Sequence, residues 1–169
     1  MEVAVPPESP IRPIRPEKTW ALRQRVLRQR QPLEACRFPG DEAPGAFHLG
    51  SFDSRGAMVA VASFNPEAAP DGLDEVVLGH GMPPGAAWRL RGMATAPEAR
   101  GRGHGTALLR AGMQELARRG GRLLWCNARL SAAGFYEGLG LLRVGEAFDL
   151  PGIGAHVVMV CPLGDAPKG

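Results

Sequence analysis

What this 169-residue chain lacks narrows its chemistry first. It has three cysteines, Cys36, Cys126 and Cys161, an odd number without metal-type spacing. A secreted disulfide framework is therefore not expected, no metal site is indicated, and a reducing cytoplasm is the simpler setting. No run of about 18 apolar residues occurs, so no membrane span is expected. Met1 to Pro16 carries several prolines and no apolar stretch of signal-peptide length, which points the same way. Aromatics are few, with one tyrosine and six phenylalanines spread along the chain, scarce material for stacking nucleic-acid bases. Arginines do gather between Arg12 and Arg30, but Trp20, Val26 and Leu27 give that segment a core-facing side. A formal charge of +3 suits an anionic ligand and falls short of a nucleic-acid footprint.

The rest of the composition is ordinary for a globular protein, with 44% hydrophobic and 22% charged residues. The length fits one domain, expected over residues 11–163, with a loose lead-in at 1–10 and a mobile tail at 164–169. No internal repeat is visible.

Ile11–Arg15 reads as an edge strand because it contains Pro13. Glu17 to about Arg28 suits a helix, and Gln31–Pro44 a loop. Ala46–Phe52 and Ala57–Phe64 flank the turn Asp53-Ser54-Arg55-Gly56, a hairpin signature. Pro66–Ala87 is irregular, long enough to be functional or disordered. Trp88–Thr95 reads as a strand, with Trp88, Leu90 and Gly92 on one side and Arg89, Arg91 and Met93 on the other. Gly92 inside it suggests a bulge. From Gly103 to about Arg119 a helix is expected, since Leu109, Met113 and Leu116 fall at i, i+4 and i+7 and Gly120-Gly121 follows. A short strand, Arg122–Cys126, precedes a helix from Ser131 to about Leu139, capped by Ser131 and stopped at Gly140. Leu142–Asp149 and Ala155–Leu163 form a last hairpin around Pro151–Gly154. This order implies an α/β fold with an antiparallel start and one parallel crossover through the Gly103 helix.

The chemistry concentrates in Arg100-Gly101-Arg102-Gly103-His104-Gly105-Thr106. This segment follows a strand and opens a helix, whose unpaired N–H groups and partial positive charge attract phosphate. Glycines allow close approach of the backbone to phosphate oxygens, and arginines add charge-assisted bonds. A Walker A loop is excluded, because no Gly-Lys step precedes a Ser or Thr. The dinucleotide fingerprint is excluded too: the glycines are spaced G-x-G-x-G, and the next strand ends at Cys126-Asn127 without an acid. A glycine-rich turn with solvent-facing arginines is the competing explanation for the loop alone.

Arg100-x-x-Gly103-x-Gly105 resembles the R/Q-x-x-G-x-G/A signature of the GNAT acetyltransferase superfamily. About 30 residues on, Ala132-Ala133-Gly134-Phe135-Tyr136-Glu137-Gly138-Leu139-Gly140-Leu141 resembles that family's A-x-x-F-Y-E-x-L-G-F segment. The resemblance covers Trp88 to Leu163, with His104 and Leu141 as small departures, and suggests a small bacterial-type member. It implies a single α/β domain of GNAT type: a mixed sheet of six to seven strands, splayed at strand 88–95 and flanked by about four helices.

The resemblance implies an N-acetyltransferase that uses acetyl-CoA as cosubstrate and no metal. An amine acceptor would attack the thioester directly, through a tetrahedral intermediate. Pantetheine would lie along Met93-Ala94-Thr95, with amides near Met93 and Ala94 holding the thioester carbonyl. The pyrophosphate would sit on Arg100, Gly101, Arg102, Gly103, His104, Gly105 and Thr106. Asn127 could hydrogen-bond the pantetheine, although an Asn closing a strand also serves as a turn former. Tyr136, the sole tyrosine, matches the family's general acid, with packing against Phe135 as the plainer role. Its reference pKa of about 10 exceeds that of a thiol, and a downhill proton to the departing sulfur is expected. Cys126 reads as an inert buried thiol rather than a nucleophile.

No base is assigned. Strand 88–95 holds no acid, and Asp71, Asp74, Glu75, Glu146 and Asp149 are candidates that also fit a solvated surface. The acceptor would be read by the helix near Trp20, the 66–87 segment and the terminal hairpin. Arg89 and Arg91, if they face the cleft, favour an acceptor with a carboxylate. A non-catalytic acyl-CoA-binding module of the same fold stays open, as does a homodimer; nucleic-acid and membrane partners are not expected.

Overall fold

Residues 2, 3, 10–70 and 72–164 are described in the computed structural model. Most of the expected lead-in, the tail beyond Gly164 and the candidate base Asp71 lie outside them.

Seven strands form one sheet: β1 (Ile11–Ile14), β2 (Phe47–Phe52), β3 (Met58–Pro66), β4 (Ala87–Thr95), β5 (Leu123–Arg129), β6 (Leu142–Leu150) and β7 (Gly154–Pro162). β2 and β3 are buried along almost their whole length, as strands covered on both faces are. The spatial order is β1-β2-β3-β4-β5-β7-β6. Only β4 and β5 are parallel, and every other pair is antiparallel. β1 lies at an edge, where Pro13 costs no interior hydrogen bond. The Asp53 side chain closes the β2–β3 hairpin by accepting from the amides of Arg55 and Ala57, both at 2.9 Å.

Four α-helices cover the sheet: α1 (Trp20–Leu27), α2 (Leu73–Leu78), α3 (His104–Arg118) and α4 (Ala133–Gly138). α3 makes the parallel crossover from β4 to β5, and Leu108, Leu109 and Leu116 are its fully buried residues. It sits tightly on β3. A Cβ at Gly112 would fall 2.0 Å from Cζ of Phe64, so a larger residue there would lift the helix off the sheet. On this face α3 and α4 cover Trp88, Leu90, Cys126 and Tyr136. On the opposite face Leu22 of α1 packs with Val61 and Ala94, while Leu73 of α2 packs with Trp125 and Val160.

Four local expectations change. The 66–87 segment contains a two-turn helix, α2, between Gly72 and Gly79, both with positive φ. β5 runs on to Arg129, so Asn127 is paired with Val158 inside a strand instead of closing one. Ser131 makes no cap: it lies in a short 3-10 turn ahead of α4, whose N-cap is Ala132 with no side-chain bond. Finally, the bulge in β4 reverses the expected faces. Met93 packs with Trp88 and Leu90 on the α3 side, and Gly92 turns toward Arg23 of α1.

Candidate active site

β4 and β5 pair only from Ala87 to Arg89, against Leu123 to Trp125; beyond Arg89 they diverge. The cause lies in β4. Val61 faces Ala94 and Ser63 faces Arg91, so three steps on β4 oppose two on β3. The extra residue is accommodated at Gly92, whose φ is 62°. A cation fixes the bulge from the α1 side. Arg23 is fully buried, holds Asp41 through two bonds at 2.6 and 2.9 Å, and also donates to Ser63 Oγ at 2.7 Å and to the Cys36 carbonyl at 2.8 Å.

The divergence opens a cleft of about 880 Å³. At one end Arg100, Gly101, Gly103, His104, Gly105 and Thr106 line it. Gly101 and Gly103 take φ of 77° and 85°, a region that disfavours any other residue, and a Cβ on either would meet nothing. The loop backbone is thus open to a ligand. Gly103 caps α3 without a side-chain bond, leaving first-turn amides available. Gly105 has a different reason to be glycine: its Cβ would lie 3.2 Å from Cζ of Phe135, where α4 meets α3. His104 Nδ1 is 2.8 Å from Ser51 Oγ, tying the start of α3 to β2. Arg100 is exposed at the cleft, whereas Arg102 is exposed and outside its lining.

Along β4, Met93 and Thr95 line the cleft and Ala94 does not. The Ala96 amide donates to the Val59 carbonyl at 2.8 Å. Hydrogen-bonded pairs recur at every second residue of an antiparallel ladder, so Ala94 is likewise directed at β3 and the Thr95 amide is turned toward the opening.

The two sides of the splay carry different chemistry. On the α3–α4 side are Cys126 and Tyr136. The Tyr136 ring meets Phe135 edge-on at 5.2 Å, and its hydroxyl has no hydrogen-bond partner among the described residues. Burial raises its pKa above the ordinary value, with a smaller push from Cys126. The phenol is thus held protonated, but the expected downhill transfer is corrected: an acid weaker than a thiol gives its proton to a free thiolate uphill. Burial also pushes the Cys126 thiol up to about 12, which keeps it protonated and poorly nucleophilic.

On the α1 side the lining includes Arg28, Phe38, Arg91, Asn127, Arg129 and His156. Asn127 and Arg129 follow Trp125 at two-residue intervals and share its face. β7 pairs His156 with Arg129, placing both on that face. His156 Nδ1 lies 2.8 Å from the Gly154 carbonyl, which can only accept; Nδ1 therefore carries the hydrogen, the lone pair of the neutral ring sits on Nε2, and Nε2 has no hydrogen-bond partner among the described residues. Asp74, Glu75, Glu146 and Asp149 are all outside the lining, which contains no carboxylate among the described residues. Arg89 and Arg91 both line the cleft, but Arg89 is bonded to Glu67 at 2.7 Å. Of the expected acceptor elements, the terminal hairpin contributes Leu150, Ile153 and His156; α1 contributes its C-terminal Val26 and Leu27, not Trp20; no described residue of the 66–87 segment lines the cleft. Sequence reasoning missed Phe38, Arg28 and His156, which no local pattern marks.

The chain matches the model of the acetyltransferase (GNAT) family over residues 14–141. It is 40% identical over 149 residues to the uncharacterized N-acetyltransferase YitI of Bacillus subtilis, covering 88% of this chain and 93% of the relative. Its fold is similar to that of the ribosomal-protein-S18-alanine N-acetyltransferase of Escherichia coli, with a TM-score of 0.67 and 20% identity over 94% of this chain and 96% of the other. An aminoglycoside 6'-N-acetyltransferase complexed with coenzyme A also has a TM-score of 0.67, at 15% identity over 94% of this chain and 99% of that one.

Proposed function

Since this chain belongs to the GNAT family and is an N-acetyltransferase of that type, we propose that it moves an acetyl group from acetyl-CoA to a primary amine by direct attack, with Tyr136 as general acid and His156 as general base. The observation that carries this reading is the cleft between β4 and β5, with a phosphate-ready loop at one end and a free phenol and a free imidazole nitrogen on opposite sides. The same-fold aminoglycoside 6'-N-acetyltransferase was seen with coenzyme A, which supports a coenzyme A donor here.

Acetyl-CoA supplies an electrophilic thioester carbonyl. The loop from Arg100 to Thr106 would hold its pyrophosphate, through α3 amides and the Arg100 guanidinium, with Arg102 contributing charge from outside the cleft. Backbone amides at Met93 and Thr95 would align the pantetheine arm and donate to the carbonyl oxygen as negative charge gathers there, worth ~3–4 kcal/mol for a well-placed donor. Ala94 would hold that stretch of β4 against β3. Asn127 would bond a pantetheine amide or the acceptor.

An amine arrives protonated, with a free pKa near 10, and must lose a proton to attack. Nε2 of His156 takes it, on the α1 side. Tyr136 gives its proton to sulfur on the other side as the C–S bond breaks, so that no free thiolate forms and the uphill transfer is avoided. The acetylated nitrogen sheds its second proton as the amide forms, and the Tyr136 phenolate takes it up; the products are a neutral amide, a thiol and the one proton that His156 releases to water.

The test is release of free CoA thiol from acetyl-CoA over a panel of amines, amino acids and peptides. Amine-dependent release is expected, with His156→Gln lowering kcat about 100-fold. Tight acetyl-CoA binding with no release for any amine would reduce the protein to an acyl-CoA-holding module.

A further inference from the structure

We propose that the acceptor is an amine bearing a carboxylate on an apolar body, and that Arg28 and Arg91 grip that carboxylate beside Phe38; this rests on the reading of the cleft as the amine-accepting half of an acetyltransferase. The cleft's charges point there. Among the described residues, five arginines line it and no carboxylate does. Three of the five have tasks. Arg100 belongs to the phosphate end, Arg89 is bonded to Glu67 at 2.7 Å, and Arg129 donates to the Leu27 carbonyl at 2.9 Å, bracing the end of α1.

Arg28 and Arg91 are left without a carboxylate partner among the described residues. Both lie over one ring: their guanidinium carbons are 5.2 and 5.5 Å from the Phe38 centroid. Arg23, 4.2 Å from the same ring, is spent on Asp41. Arg91's contact with the Pro39 carbonyl is a long 3.4 Å. Its charge is costly where it stands. Burial, followed by repulsion from Arg89, brings its pKa down to about 10, and the nearest acids, Glu67 and Asp41, are each engaged elsewhere. A half-buried cation whose contacts are a long bond to a carbonyl and the face of a ring is one that a ligand carboxylate would stabilise.

Position separates this pair from the donor's phosphates. Arg91 precedes Thr95 by four residues, ~13 Å along a strand, on the far side of the bulge and on the α1 face. The cleft lining also includes the apolar Val26, Leu27, Leu150 and Ile153, which suits a hydrophobic remainder on the acceptor. A planar guanidinium matches carboxylate geometry, and two at one aromatic ring can hold it from two directions.

The test uses the full-length protein loaded with CoA and three probes: leucine, leucinamide and phosphoethanolamine. Equilibrium binding is read by calorimetry, without turnover. Leucine should bind at least about tenfold more tightly than leucinamide, and Arg28→Gln and Arg91→Gln should each remove about tenfold or more of that preference. Binding of leucinamide and of CoA should stay unchanged. Equal affinity for leucine and leucinamide, or variants that weaken both alike, would overturn the proposal. Stronger binding of phosphoethanolamine than of leucine would overturn the carboxylate assignment. Should Arg91→Gln not fold, Arg28→Gln and the wild-type comparison still decide. Failure of CoA release in the separate assay strikes the transfer reading alone.

Discussion

A Cβ on Gly92 would stand 2.6 Å from Nε of Arg23. The bulge that splays β4 from β5 and the buried cation beneath it therefore exclude one another's alternatives. Arg23 fills the space a side chain would need, and Gly92 alone combines that approach with a φ of 62°.

Gly92→Ala should accordingly cost about 2–4 kcal/mol, combining the left-handed conformation with overpacking against Arg23. Urea unfolding measures it, with Asp41→Asn as a reference that leaves Arg23 buried without its charge partner. A Gly92→Ala midpoint indistinguishable from wild type would refute the clash.

Tyr136→Phe should lower kcat about 100-fold or more and leave the KM for acetyl-CoA nearly unchanged. Folding should be unaffected, because the hydroxyl has no hydrogen bond to lose among the described residues. A kcat near wild type would remove Tyr136 from the proton path and return it to packing with Phe135.

Cys126 offers a control with the opposite expectation. With its thiol pushed up to about 12 by burial, it stays protonated through the whole neutral and mildly alkaline range. Thiol labelling of the folded protein at pH 8 should lag far behind labelling in urea at this position. Cys126→Ala should keep at least about half of kcat, since an inert thiol contributes only packing. A loss as deep as that of Tyr136→Phe would instead indicate an acyl-cysteine route.

His48 should make stability depend on pH. Its Nε2 faces the Asp41 carbonyl at 2.9 Å and so carries the hydrogen, which leaves Nδ1 to accept from Ser63 Oγ at 2.6 Å. Burial lowers its pKa below the ordinary 6.5. The unfolded chain then takes up a proton at a higher pH than the folded one. Stability from this residue is complete above about pH 6.5 and is lost as pH falls from there through the lower folded value. Urea midpoints between pH 7.5 and 5 should decline in wild type and flatten in His48→Gln; parallel curves would assign the decline to other groups.

The stretch from Trp88 to Thr106 was legible because its determinants are local. Alternating residues make β4, Gly101 and Gly103 demand positive φ, and the Leu109–Leu116 spacing makes α3. Gly92 announced a bulge, but not its effect on phase: an inserted residue reverses inside and outside downstream, and a period-two reading cannot know where the reversal falls. α2 escaped notice because two turns between glycines leave too little periodicity. The proposed base, His156, escaped for another reason. Arg129 and His156 are far apart in sequence and become neighbours only through the β5–β7 pairing.

The sequence by itself determined the frame of the proposed donor half, since a strand, a glycine loop and a helix N-terminus are consecutive and their geometry follows from their order. Only the tertiary structure brings together the residues of the proposed acceptor half. Phe38, Arg28, Arg91 and His156 come from a loop, the end of a helix and two strands. Their convergence depends on long-range pairing and on a buried Arg23–Asp41 contact that no local preference encodes.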